Sequence, residues 1–173
     1  NGWLPHDWLV VLSLVPMVNN CAYAKTASAS NFGLGIQEEL YPSDIEALIN
    51  GLEWYPNAMK NYREEQIPDY EGTHTHKMIQ QPAGIAVAYL AWNFPLLNVG
   101  FKIGPALAAG CSLIIKPSAL SPLSAYLVGK IMHDMNFPAG VVNILSGPAR
   151  EVATTFTQSK KTAVLTMIGS TQT

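Results

Sequence analysis

Four short apolar runs, set apart by stretches long enough for helices, constrain this chain more than any other feature. They are residues 84–90 (GIAVAYL), 111–115 (CSLII), 141–145 (VVNIL) and 163–167 (AVLTM). The first is continuously apolar, which is the pattern of a strand covered on both faces rather than of one alternating between core and water; the second reads as another buried strand, and the last two as a third and a fourth strand. Residues 97–109 between the first two are helix-compatible, with Pro105 as a kink and Gly110 as a stop. Ser121-Pro122 reads as an N-cap followed by proline at the first helical position. Leu123, Leu127, Ile131 and Met135 then give one apolar face, and Pro138-Ala139-Gly140 ends the segment. Residues 151–158 suit a short helix before the last strand. Strands joined by helical crossovers of this length run parallel, with right-handed connections. The fold class is α/β.

The composition changes near residue 40. Ser43-Asp44-Ile45-Glu46 is a capping-box pattern, in which Ser43 accepts a helix amide and Glu46 reaches back. Ile45, Leu48, Ile49 and Leu52 follow at helical spacing, Pro56 interrupts or kinks the helix, and Met59 and Tyr62 extend its stripe. Residues 67–81 are polar and rich in Thr and His, as exposed strands or an arm would be. Residues 19–35 are small and polar and read as loop or linker. Their Gly33 and Gly35 form a weak phosphate loop, lacking a third glycine and a preceding strand. The apolar run at residues 8–18 is broken by Ser13 and Pro16 and is too short to span a bilayer. Ala22-Tyr23-Ala24 resembles a signal-peptidase site, but residues 1–7 carry no Lys or Arg. The chain therefore divides into an atypical segment, 1–40, and a domain, 41–173.

The balance of charge excludes some partners. A formal charge of −2, with ten Lys and Arg scattered rather than clustered, offers nucleic acid no basic field. Neither nucleic acid nor a membrane is expected as a partner. Cys21 and Cys111 are too few and too far apart for a disulfide framework or a zinc site. His74 and His76 read as outward residues of a surface strand, so no metal is predicted.

In a parallel sheet with helical crossovers, ligands bind beyond the carboxyl ends of the strands. Three segments fall there: residues 91–96 (AWNFPL), 116–119 (KPSA) and 169–171 (GST). The side-chain amide of Asn93 can donate to an oxyanion developing on an attacked carbonyl. The ammonium of Lys116, emerging from a buried strand, must meet hydroxyls, carbonyls or phosphate. Gly169 and Ser170, ahead of a helix, offer amides and a hydroxyl to a pyrophosphate. Taken singly, each also reads as something plainer: a packed turn, a solvent-facing loop and an ordinary N-cap.

Taken together, they are specific. Pro82-Ala83-Gly84, residues 92–96 (WNFPL), 102–110 (KIGPALAAG), 116–118 (KPS), 121–125 (SPLSA), 136–143 (NFPAGVVN) and Gly169-Ser170-Thr171 occur in order. This series resembles the aldehyde dehydrogenase superfamily. The resemblance implies an incomplete Rossmann-like parallel sheet with flanking helices, forming part of an NAD(P)-binding domain. It implies that Asn93 is the oxyanion donor and that the backbone of Tyr89, Leu90, Ala91 and Trp92 lines the cofactor cleft. Lys116 is similar to the lysine that bonds the adenosine ribose, with Ser118 and Ala119 beside it, and Gly169 and Ser170 to the pair beside the pyrophosphate. Residues 67–81 stand where the family carries an oligomerisation arm, so a cytoplasmic homo-oligomer acting on a small aldehyde, such as succinate semialdehyde, is implied for the full-length enzyme.

The departures qualify this. Many NAD-preferring members have Glu where this chain has Ala119; without that carboxylate a 2′-phosphate is not repelled, leaving NAD or NADP open. Gly147-Pro148-Ala149 replaces a family G-x-G, and Met167-Ile168 the usual Phe-Thr. The resemblance also implies that the nucleophilic Cys and general-base Glu lie C-terminal to the Gly-Ser-Thr segment. Cys111 reads as a small core residue, so the 173-residue chain by itself is expected to be inactive. The rival reading is a non-catalytic nucleotide-binding or interaction fragment.

Overall fold

The computed structural model describes residues 41–60 and 65–171, with only the backbone of Tyr41 and Pro42. The apolar run at 8–18, the Ala22-Tyr23-Ala24 site and the Gly33/Gly35 loop lie outside the described residues.

Helix α1 (Tyr41–Met59) leads into a hairpin of β1 (Glu65–Ile67) and β2 (His76–Met78). There follow β3 (Ile85–Tyr89), α2 (Pro95–Ala108), β4 (Ser112–Lys116), α3 (Leu123–Asp134), β5 (Val142–Ile144), α4 (Ala149–Gln158) and β6 (Thr162–Met167). The four apolar runs form one parallel sheet in the order β5-β4-β3-β6. The first two crossovers step outward from β3, and the third returns to its other side. The direction of winding therefore reverses between β3 and β6, which is the switch point where such sheets open a ligand crevice.

Alternation along the strands sorts the two faces. Ala86, Ala88, Leu113 and Ile115 join the core made with Leu48 and Leu52 of α1, Val99, Ile103 and Leu107 of α2, and Val128 and Met132 of α3. Tyr89 points the other way, where its hydroxyl donates to the Ala153 carbonyl of α4 (3.4 Å). α1 packs mainly on α2, and at very close range. A Cβ on Gly104 would stand 2.5 Å from the Tyr55 Cδ2 and 3.1 Å from the Gly51 carbonyl oxygen, and one on Gly100 3.1 Å from the Leu48 Cα, so a side chain at either position would push the helices or their side chains apart.

Three local expectations change. Helix α1 starts at Tyr41, so Ser43 lies inside its first turn instead of capping it, and the helix runs through Pro56 to Met59. Ser121 does not cap α3, whose first residue is Leu123; its hydroxyl donates instead to the Trp92 carbonyl (3.0 Å). The buried stripe of α3 is Ala125, Val128 and Met132, with Leu123 exposed and Leu127, Ile131 and Met135 only half-buried. The small Ala125 lets that side of the helix sit down on the core, and the larger residues flank it.

The hairpin is exposed along both strands. Its loop is organised by Asp69, whose carboxylate accepts from the amides of His74 (2.6 Å), Thr73 (2.7 Å) and Glu71 (3.4 Å). His74 sits in this loop and not on the strand, stacked on His76 at a ring separation of 6.1 Å. Foremost through the His74 amide, the carboxyl of Asp69 is held below its ordinary value, against a smaller opposing effect of burial. A depressed carboxyl pKa stabilises the loop above the unfolded value and loses that contribution as pH falls through the folded one. The Thr73 and His74 amide signals are thus expected to move upfield only below the ordinary titration of an aspartate. Movement in step with an unperturbed carboxylate would show that the bonds are not made in solution.

Candidate active site

The carboxyl rim at the switch point is locked by main-chain bonds. Tyr89 pairs with Lys116 on one side and with Met167 on the other. Just beyond, the Leu90 amide donates to the Lys116 carbonyl (3.1 Å) and the Ile168 amide to the Tyr89 carbonyl (3.0 Å). The three strands therefore end level. Asn93, Lys116 and the Gly169-Ser170 turn, far apart in sequence, all leave the sheet at the same edge.

Lys116 is 7% exposed although it is a lysine, and its ammonium donates to the carbonyl of Pro117 at 3.2 Å. An ammonium carries three protons, so this bond alone leaves donor capacity at the rim. Ser118 follows, half-buried, its hydroxyl accepting from the Leu120 amide (3.2 Å). Ala119 is exposed beside it. Gly169 and Ser170 are exposed, and the helix expected after them lies outside the described residues.

The turn between β3 and α2 carries Asn93. Ala91 is half-buried, whereas Trp92 and Asn93 are exposed. Phe94 takes a left-handed conformation (φ 49°, ψ 59°), sparsely occupied by residues other than glycine. Around this turn stand groups that sequence reasoning missed. The Asn98 side-chain amide donates to the Asn93 carbonyl (2.6 Å), and Ser121 to that of Trp92. Asp44 of α1 is 8% exposed and accepts from the amides of Leu96 (3.0 Å) and Leu97 (2.8 Å). No local pattern marks Asp44; the capping-box reading drew attention to Ser43 and Glu46 on either side of it.

Behind the rim, Lys102 of α2 donates to the Thr166 hydroxyl of β6 (2.7 Å), and burial lowers the pKa of its ammonium. Cys111 is buried just ahead of β4, at the end of the strand opposite the rim. Ala149 opens α4. Among the described residues no group of three His, Cys, Asp or Glu side chains could hold a metal ion, and no helix is long and apolar enough to cross a membrane.

A family model described as the aldehyde dehydrogenase family matches residues 19–173. The chain belongs to the aldehyde dehydrogenase family. It is 35% identical over 129 residues to the glutarate-semialdehyde dehydrogenase of Pseudomonas putida, covering 75% of this chain and 27% of that protein. It is 34% identical, with the same coverage, to the NADP(+) succinate-semialdehyde dehydrogenase GabD of Escherichia coli. The chain thus spans about a quarter of the length of these aldehyde dehydrogenases. Among solved structures, betaine aldehyde dehydrogenase of Staphylococcus aureus in complex with NAD+ superimposes with a TM-score of 0.84 at 25% identity, over 94% of this chain and 32% of that one. The Rossmann-like assignment of the sheet agrees with this match.

Proposed function

We propose that this chain supplies the nucleotide-binding edge and the oxyanion donor of an NAD(P)-dependent aldehyde dehydrogenase, which oxidises an aldehyde to a carboxylic acid. The observation that carries the reading is that Asn93, Lys116 and the Gly169-Ser170 turn share one rim at the switch point of the sheet. The donor set fits a dinucleotide: a buried ammonium for ribose hydroxyls, and glycine amides with a neighbouring hydroxyl for a pyrophosphate. When bound, a nicotinamide nucleotide supplies the hydride acceptor. The protein's own part is positional and electrostatic. Lys116 and Ser118 hold the ribose, Gly169 and Ser170 the pyrophosphate, and the backbone of Tyr89, Leu90, Ala91 and Trp92 lines the cleft. Asn93 donates to the aldehyde oxygen as it gains negative charge.

The buried position of Cys111, at the far end of β4, leaves aldehyde attack to a nucleophile outside the described residues. The 173-residue chain by itself is proposed to bind nucleotide without turning over aldehyde. The names of the two relatives support a semialdehyde as substrate. The exposed β1–β2 hairpin supports assembly into a homo-oligomer, and the reading includes a cytoplasmic location.

Calorimetric titration of the chain with NAD+ and with NADP+ tests the proposal, and failure of both to bind would overturn it. Ala119 adds a specificity arm. Ala119→Glu sets a carboxylate where a 2′-phosphate would lie, and is expected to weaken NADP+ about tenfold relative to NAD+, or about 1.4 kcal/mol. Equal effects on the two nucleotides would remove position 119 from the ribose site.

A further inference from the structure

We infer that Asp44 is a positioning residue for Asn93, acting from the first turn of α1 on the turn between β3 and α2; the inference rests on the reading of Asn93 as oxyanion donor. The start of α2 cannot cap itself. Phe94, at the N-cap, has no side-chain acceptor, and Pro95 occupies the first helical position without an N–H. The first free amides are those of Leu96 and Leu97, and each takes one oxygen of the Asp44 carboxylate, at 3.0 and 2.8 Å. A carboxylate is suited to this task, since it accepts two amides at once and meets the positive end of the helix dipole. Asp44 thus does across 52 residues what a serine or aspartate normally does within three.

What the bonds fix is the peptide run that carries Asn93. The Trp92 carbonyl on one side is held by Ser121, the Asn93 carbonyl by the Asn98 side chain, and the amides on the far side by Asp44. Between them Phe94 adopts its left-handed backbone, which a bulky residue does not keep unless its surroundings impose it. Of the three holds, Asp44 brings the only carboxylate, and it ties the turn to another helix, α1. Nearby, α1 and α2 approach closely where Gly100 faces Leu48 and Gly104 faces Gly51 and Tyr55.

The test is nuclear magnetic resonance on the full 173-residue chain, comparing Asp44→Ala and Asp44→Asn with the parent. In Asp44→Ala the Leu96 and Leu97 amide protons are expected to shift upfield, and the side-chain amide pair of Asn93 to shift with them. The Asn143 and Ile144 amides of β5 should not move. Asp44→Asn, which keeps one acceptor oxygen, should move the Asn93 pair by less and spare one of the two leucine amides. If the leucine amides move while the Asn93 pair stays, the turn holds without Asp44 and the inference fails. Should Asp44→Ala unfold the chain, Asp44→Asn decides by the same signals; loss of the fold in both variants would make Asp44 a general stability residue and also overturn the inference. These signals involve neither nucleotide nor aldehyde, so this result and the fate of Asn93 as oxyanion donor are distinguishable.

Discussion

Lys116→Ala is expected to weaken the binding of both nicotinamide nucleotides to this chain by about 10- to 150-fold. The size follows from a hydrogen bond to a charged group, worth about 1.5–3 kcal/mol, converted at about 1.4 kcal/mol per decade. The charge of Lys116 is buried at 7% exposure, and its bond to the Pro117 carbonyl engages one of three protons. Water cannot hydrate such a group as it would a surface lysine, so a ribose hydroxyl arriving at the rim gains more from it. NADP+, with its 2′-phosphate, should lose at least as much as NAD+. The measurement is calorimetric affinity for both nucleotides, alongside a thermal melt to verify that the variant is folded. Unchanged affinities in a folded variant would put Lys116 outside the nucleotide site.

Its neighbour should behave in the opposite way. Ile115→Ala is expected to destabilise the fold by about 2–5 kcal/mol, the usual cost of removing that much buried side chain and leaving a cavity. For a domain of this size that is a fall in melting temperature of about 4–20 °C. Ile115 is fully buried, in the core shared with α2 and α3, whereas Lys116 at the next position faces the other side of the sheet. The register at the rim depends on main-chain bonds that the substitution leaves in place, among them Leu90 to Lys116. Measured well below its melting temperature, the variant should therefore bind nucleotide nearly as the parent does. A loss of affinity as large as in Lys116→Ala would mean that the rim is not held independently of the core.

The elements that could be read from the sequence are those whose cause is local. Residues 84–90, and 111–115 apart from Ser112, are apolar because their strands are largely covered on both faces, and helical spacing in the intervening stretch leaves parallel pairing as the simplest solution. The misreadings share a different cause. Ser121 has the right neighbours to be an N-cap, yet its hydroxyl is taken by a carbonyl 29 residues away. Leu123, Leu127, Ile131 and Met135 are spaced like a buried stripe, yet the buried residues of the helix are Ala125, Val128 and Met132, with Met135 packed against the edge of the core. Periodicity shows that a helix has an apolar side; it does not show which neighbour that side must fit.

The sequence by itself determined the α/β class, the positions of the four strands and the three segments at their carboxyl ends, since short apolar runs and strand-end chemistry leave marks within a few residues. Only the tertiary structure decided that β6 pairs with β3 across the switch point, that the three segments end level on one rim, and that Asp44 caps a helix other than its own. Each of these is a contact between residues far apart in the chain, set by main-chain register and by the packing of α1 on α2. Such contacts depend on how whole elements dock, and no short window of sequence encodes that.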